Sequence, residues 1–525
     1  MESISCDVIV IGSGGAGLRA AISVREAGLN AMVLSKAKPG KSTCTAVSGG
    51  VMAGSEGPSS WESHLENTLR AGRGINEQSL ARVLVKEAPV RHRELVDWGI
   101  RAEFRKGYLY AKGHPPMLGG EITRCLIEKC IELGTGFLSG CTVTDLSIDD
   151  RIAGVSAYLR DSGKYIKVTA KAVVLATGGA GALYARHDNP LSIMGDGYRL
   201  ALEAGAILQD MEFVQFYPLC VAEPGLPPLV IPPKLADCGR LSNENGEDIL
   251  GKYGIIERPA GERARDKLSR ALFQEINREG RAVYLDLRRV GEDPWMDPFA
   301  ASIRHILGKR FGAFDRAIRI APAAHHVMGG VKIDEYGKTS IPGLFAAGEV
   351  TGGLHGANRM GGNALSDILV FGARAGIAAA AYVSEWPDTE NRTRSIAAVL
   401  DDRMQKWTRL THVGKDFRPL LQKMMWTEGG IIRNAEGLNR AMRDVKMLEE
   451  KLTQSSSEGR GDLAETVSNC SAARTAGLIL QAAIRRTESR GAHYREDFPD
   501  QDDESWRGHL QVRMLPGGED LGFSS

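Results

Sequence analysis

Residues 6–36 read CDVIVIGSGGAGLRAAISVREAGLNAMVLSK, and this stretch sets the fold. DVIVI is a β-branched run that predicts a strand; GLRAAISVREAG predicts a helix that Gly28 stops; AMVLS predicts the next strand. Together they make one βαβ unit. Gly12, Gly14 and Gly17 form GxGxxG between strand and helix. The first glycine permits a tight turn, the second lets backbone approach a pyrophosphate, and the third lets helix and strand pack closely, so that phosphates sit on the helix N-terminus. NAD-binding units usually end the second strand with an acid for the ribose. Here Ser35 and Lys36 hold that place, which argues for a different dinucleotide.

Outward from this unit, KAVVLATGG (171–179) is another buried strand ending in glycines, and helical stretches such as EQSLARVLVKEAPVRHRELVDWG (77–99) lie between. After residue 210 the composition shifts to the proline-rich YPLCVAEPGLPPLVIPPK, and short strands and helices mix as far as 322. Residues 329–350 return to strand-and-turn patterning. From 386 the chain is mostly helical, with a 3.6-residue period in DVKMLEEKLTQ and SAARTAGLILQAAIRRTES. The acidic, then glycine-bearing tail after Pro499 is expected to be loosely attached. These shifts divide the chain into 1–210, 211–322, 323–385 and 386–525.

At 525 residues, roughly two to four structural units are expected. Hydrophobic content of 43% with 25% charged residues is an ordinary globular mix. The 66 Lys and Arg nearly cancel the 65 Asp and Glu, so charge balance makes no case for nucleic acid or an anionic membrane. The start lacks a basic leader with an apolar core, and no run approaches 18 apolar residues; neither a secretion signal nor a membrane span is expected. Cys6, Cys44, Cys125, Cys130, Cys141, Cys220, Cys238 and Cys470 form no CxxC pair. Their scatter fits neither a disulfide framework nor an iron–sulfur or other metal site, and a reducing cytoplasm fits best.

HGANRMGGNALSD, His355–Asp367, places one guanidinium, Arg359, among small residues. With little packing of its own, Arg359 is positioned to meet an anion, either a side chain or a ligand. ATGGAG (176–181), MGDGYRLALEAGA (194–206) and FAAGEV (345–350) add glycine-bounded backbone, with acids at Asp196 and Glu349.

With MEFVQFYP, RARDKLSRAL, AHHVMGGVKID and TESRGAHYREDFP, these segments make the chain resemble the succinate dehydrogenase/fumarate reductase flavoprotein family, which includes aspartate oxidase. The resemblance runs from about residue 6 to 499. It implies an α/β fold: a Rossmann-like FAD domain in two parts (1–210 and 323–385), an inserted α+β capping domain (211–322) and a C-terminal helical domain with its tail (386–525). It implies hydride transfer at a carbon–carbon bond beside a carboxylate. FAD contacts are implied at Gly12, Gly14, Gly15, Ala16, Gly17, Ser35, Lys36, Ser42, Thr43, Gly49, Gly50, Ala176, Thr177, Gly178, Asp196, Glu349, Ala364 and Leu365. Arg359 and His325 match the family's carboxylate-binding residues, and Arg265 its proton-transfer arginine. The structural alternatives are an ion pair for Arg359, a core histidine satisfied by backbone for His325, and a helix-surface arginine paired with Glu262 or Asp266 for Arg265.

The chain also departs from the family. Where quinone-linked members attach FAD to a histidine, KSTCTAVSGG (41–50) has Thr43, so non-covalent FAD is expected. The family's substrate histidine is replaced by Tyr217, which could still donate a hydrogen bond. Its TEGxRGEGG segment is replaced by VIPPKLADCGR (230–240), in which Lys234, Asp237 and Arg240 are candidate replacements. One end of the substrate site thus reads as intact and the other as rebuilt. Reduction of a carboxylate-bearing alkene is the leading expectation. An aspartate oxidase-like activity and a flavin electron-transfer subunit with a modified pocket are the alternatives. Electrons would come from an iron–sulfur subunit or a diffusible donor, and any membrane association would be peripheral, through partner subunits.

Overall fold

The computed structural model describes residues 2–54, 60–148, 150–385, 407, 416–453, 462–515 and 518–524. Five parallel strands form the central sheet in the order Leu344–Ala346, Ala172–Leu175, Val8–Ile11, Ala31–Leu34 and Gly136–Leu138. Val8–Ile11 is buried throughout, as a strand covered on both faces must be. The chain crosses from it to one neighbour through the Gly15–Glu26 helix and reaches the other only at Ala172, so the strand order reverses at Gly12. That reversal opens a crevice at the carboxyl ends of the strands, the usual ligand position in such sheets.

The Asn363–Glu385 helix packs along Gly15–Glu26. A Cβ on Gly372 would lie 2.7 Å from the Ala16 carbonyl oxygen, and one on Gly376 2.3 Å from that of Ala20. The two glycines therefore set the approach of the helices and bring both N-termini to the crevice. By length and composition alone Asn363–Glu385 could cross a membrane, contrary to the sequence expectation. Yet 78% of its most apolar window is buried within the protein, where its apolar face is already covered.

The inserted region is an antiparallel sheet in the order Val214–Val221, Ile318–Val327, Val283–Asp286 and Arg240–Asn243, with helices Arg265–Phe273 and Pro298–Phe311. Its hydrophobic core, from Tyr217 to Ala323, is separate from the main one. The helices Phe417–Thr427, Ala435–Thr453 and Leu463–Arg485 share the main core with the FAD-binding region. The expected boundary at 386 lies outside the described residues. The tail is not loosely attached: His509–Leu515 pairs antiparallel with Leu208–Gln209, and Leu510 and Val512 are buried. Alternating apolar residues in HLQVRML supply the buried face that the acidic composition nearby obscures.

Candidate active site

A cavity of about 2520 Å³ runs from the crevice to the underside of the inserted region. Every residue expected to contact FAD lines it except Gly17, and so do Tyr217, Arg265, His325 and Arg359. Gly17 packs inward: a Cβ there would lie 2.0 Å from the Gly12 carbonyl oxygen, which is the close helix–strand contact expected of the third glycine. Gly12 has φ +112°, and a Cβ would meet the Ala176 carbonyl oxygen at 2.1 Å. No side chain caps the Gly15–Glu26 helix at Gly14. Beside this cradle the Thr177 hydroxyl and Asp196 Oδ1 are buried without partners among the described residues. A helix N-terminus whose N-cap is glycine, a glycine cradle and two waiting polar atoms fit a dinucleotide with hydroxyls and phosphates.

At the far end of this half, Lys36 Nζ pairs with Asp196 at 2.7 Å and donates to Ser468 at 2.8 Å, tying the second strand to the C-terminal helix. Thr43 caps the Cys44–Val47 turn, its hydroxyl accepting from the Ala46 N–H at 3.2 Å, while Ser42 is held at φ 54°. Thr45 accepts from the Gly15 N–H at 3.1 Å, which fixes this segment against the cradle. Ser35 turns its hydroxyl to the Ala37 carbonyl. Glu349 lies opposite Gly179 and accepts from the Val327 N–H at 3.1 Å. Burial raises its carboxyl to about 7.

The other half gathers the cations. Arg359 is 7% exposed and makes no ion pair among the described residues; its Nε has no partner, and Nη1 reaches only the Met360 carbonyl at 3.4 Å. Burial, then repulsion from Arg265, lowers its guanidinium to about 10, which leaves it cationic at neutral pH. The ion-pair alternative therefore fails. Its loop is fixed by Gln215, which donates to the Arg359 carbonyl at 2.9 Å and to Asn358 Oδ1 at 2.6 Å, and its ends are drawn together by His355 and Asp367, 3.5 Å apart.

Arg265 is also buried and, among the described residues, without an ion pair; Asp266 is taken by Arg73 and Arg270 instead. Its guanidinium lies 5.2 Å from the centre of the Tyr217 ring, and its Nε donates to the Gly261 carbonyl at 3.4 Å. His325 is neither backbone-satisfied nor buried in apolar core: Nδ1 is 2.6 Å from Asp188 Oδ2, and its ring is 5.3 Å from that of Tyr217. Burial lowers its pKa although Asp188 opposes this. The neutral ring thus carries its proton on Nδ1, toward the carboxylate.

Two expectations at the rebuilt end are corrected. Tyr217 does not offer its hydroxyl to the cavity, because it donates to the Ile231 carbonyl at 2.7 Å; the ring is what faces the site. Of the three candidate replacements only Lys234 lines the cavity, and it is exposed. Asp237 accepts from the Ala260 N–H and pairs with Arg258, and Arg240 donates to the Gly246 carbonyl. Both short-range partners exist because the 230–240 segment folds back on the inserted region. Asp188, Gln215, Asn358 and His326 escape the sequence reading. His326 lines the cavity beside His325 with Nε2 unpartnered, and its pairing in the AHH motif is the one available signal. Asp188 is brought to His325 by backbone pairing of 186–188 with Ala324, a contact across the chain with no local signature.

Residues 7–365 match the FAD binding domain model, and residues 418–521 match the fumarate reductase flavoprotein C-terminal model. The chain belongs to the fumarate reductase/succinate dehydrogenase flavoprotein family. It is an FAD-dependent oxidoreductase of the class that acts on CH–CH bonds. Among its relatives, a subunit of the CoM/CoB fumarate reductase of Methanothermobacter marburgensis is 35% identical over 549 residues, covering 98% of each chain. L-aspartate oxidase of Streptomyces coelicolor is 33% identical, covering 98% of this chain and 92% of its own. The solved FrdA of Escherichia coli quinol fumarate reductase superposes with a TM-score of 0.89 at 29% identity, covering 100% of this chain and 97% of that one.

Proposed function

We propose that this flavoprotein reduces a carbon–carbon double bond activated by a neighbouring carboxylate, with Arg359 and His325 holding the carboxylate and Arg265 donating the proton. FAD, when bound, supplies the hydride chemistry at its N5 position. The observation that carries the reading is the pair of buried guanidiniums, Arg359 and Arg265, neither with a counter-ion among the described residues, on one cavity with the glycine cradle. Two uncompensated buried cations cost stability and persist where an anion is bound. Arg359 offers a planar fork to both carboxylate oxygens. Arg265 can pass a proton only if the Tyr217 face and the open cavity behind it let the proton be restored, since a guanidinium is a poor acid.

With Thr43 at the place of the linking histidine and its hydroxyl used as a cap, FAD is held non-covalently. Electrons come from a separate iron–sulfur subunit or a diffusible donor, for several relatives are named as single subunits of larger reductases, and this chain's eight cysteines form no CxxC pair. Any membrane attachment is peripheral, through such partners. The test is acid precipitation of the purified protein, expected to release all FAD into the supernatant, followed by reoxidation of the reduced flavin by α,β-unsaturated acids. Flavin that stays with the pellet, or is reoxidised by no such acid, would refute the reading. Peroxide formed from aspartate and oxygen would instead place the chain with its aspartate oxidase relatives.

A pH dependence follows from His325. Neutral, with its proton toward Asp188, the ring presents a bare Nε2 to a carboxylate and must take up a proton to donate there. Ligand binding therefore raises its pKa from a lowered free value. Affinity for a carboxylate is full below the free pKa and falls by up to about tenfold per pH unit until the bound pKa is passed. Titration of a non-reacting saturated acid between pH 5 and 9, with proton uptake measured in two buffers, checks this; His325→Gln should flatten the profile.

A further inference from the structure

Resting on the reductase reading, we infer that the substrate is a monocarboxylate whose β-substituent is uncharged and apolar, seated against a wall made by Tyr217, Leu229, Val230, Pro232 and Pro233. The resemblance to the family places the ligands of a second carboxylate at Tyr217 and in 230–240. Tyr217 offers no charge, and of the charged residues in 230–240 only Lys234 lines the cavity, where it is exposed. Tyr217 lies between His325 and Arg265, at 5.3 Å and 5.2 Å from its ring, so whatever extends beyond the gripped carboxylate passes over this ring. Its hydroxyl is already spent on Ile231.

The segment carrying Ile231 is built in beside it. The Ile231 N–H donates to the Leu219 carbonyl at 2.8 Å, the Val221 N–H to that of Leu229 at 2.9 Å, and Val230 bridges Cys220. Pro233 is seated on the turn that carries Arg265: a Cβ on Gly261 would lie 2.6 Å from the Pro233 carbonyl oxygen. The Pro232 and Pro233 carbonyls accept from Leu235 and Ala236, and prolines have no N–H to offer. From Pro224 to Pro233 the sequence PGLPPLVIPP contains no polar side chain. The nearest acid before it, Glu223, is turned away onto Arg316 and the Arg319 N–H.

A second carboxylate over Tyr217 would lose its hydration and gain no donor from this wall, whereas an alkyl or aryl group would bury apolar surface. Of the cations that line the cavity near the wall, Lys234 and Arg263 are exposed and could meet only a distal charge, and the Arg186 Nε donates to the Pro322 carbonyl at 3.4 Å.

The experiment presents the FAD-loaded protein with fumarate, trans-2-hexenoate, cinnamate and trans-2-hexenedioate. It reads binding from the flavin difference spectrum and kcat/KM from oxidation of reduced viologen. Hexenoate or cinnamate is expected to exceed fumarate by at least about tenfold in both, the scale that one or two buried methylenes give a specificity ratio. Fumarate equal or better overturns the inference, and hexenedioate best overturns it in favour of a distal charge. Tighter binding of hexenoate without turnover of any acid would keep the apolar wall and refute the reductase reading. Val230→Arg, checked for full FAD content, should move the preference toward fumarate; an unchanged ratio would remove Val230 from the wall.

Discussion

Replacing Arg359 by leucine is expected to lower kcat/KM for the unsaturated acid by about a thousandfold while leaving the FAD content of the protein unchanged. A desolvated charge-assisted pair is worth about 2–5 kcal/mol on truncation of one partner, and each 1.36 kcal/mol is tenfold in rate. Arg359→Lys keeps the charge but loses the fork, so it should recover only about tenfold. The same substitution has an opposite effect on folding. Arg359 is buried with Nε unpartnered and no ion pair among the described residues, so the ligand-free protein is penalised by its presence. Leucine should therefore raise the apparent melting temperature of the ligand-free protein. Loss of activity together with loss of stability would mean that Arg359 is a structural cation after all, and activity within tenfold of the parent would place the carboxylate elsewhere.

Glu488→Ala is expected to be the most damaging single change to stability. Glu488 is 1% exposed and is held by Arg486 Nη1 at 3.0 Å, by Arg490 Nε at 2.7 Å and Nη2 at 3.0 Å, and by the Asp502 N–H at 2.8 Å. Arg486 also binds Glu212 and the carbonyls of Trp506 and Gly508, and its guanidinium lies 5.0 Å from the Phe213 ring. Removing the shared acid takes a buried counter-charge from two guanidiniums, leaving Arg486 with Glu212 and Arg490 with Asp503, at a cost of about 3–5 kcal/mol. Spread over a chain of this size at about 2.1 cal/mol/K per residue, that is a fall of about 3–5 °C in midpoint. Alanine at Glu436, whose pair with Arg440 is exposed, should leave the midpoint where it is.

The network also reaches the site. Gly491, at φ 56°, lies against Ala357, and the Ala492 N–H donates to the Ala357 carbonyl at 2.9 Å, two residues from Arg359. Glu488→Ala should thus lower activity as well, and a full loss of stability with unchanged kcat/KM would uncouple the two.

Legibility in the sequence follows the range of the forces. The glycine cradle is readable because a tight turn, a pyrophosphate approach and a helix contact each demand glycine at a fixed local spacing; Gly12 and Gly17 meet those demands within a few residues. The charged core is not readable. RTESRGAHYRED (486–497) shows arginines and acids in a row, and nothing local says that Arg486, Arg490 and Arg495 turn inward rather than toward water. The docked tail misleads for the same reason: its partner, Leu208–Gln209, lies about three hundred residues away.

The sequence by itself determined the βαβ unit and the dinucleotide cradle and pointed to Arg265, His325 and Arg359, which line the cavity, because these rest on local spacing and on motif. Only the tertiary structure decided that burial keeps His325 neutral while Asp188 holds its Nδ1 proton, that the Tyr217 hydroxyl is consumed by Ile231, and that Asp237 and Arg240 lie outside the cavity lining. Whether a polar atom is available to a ligand depends on which other polar atom reaches it first, and that is settled by contacts between segments far apart in the chain.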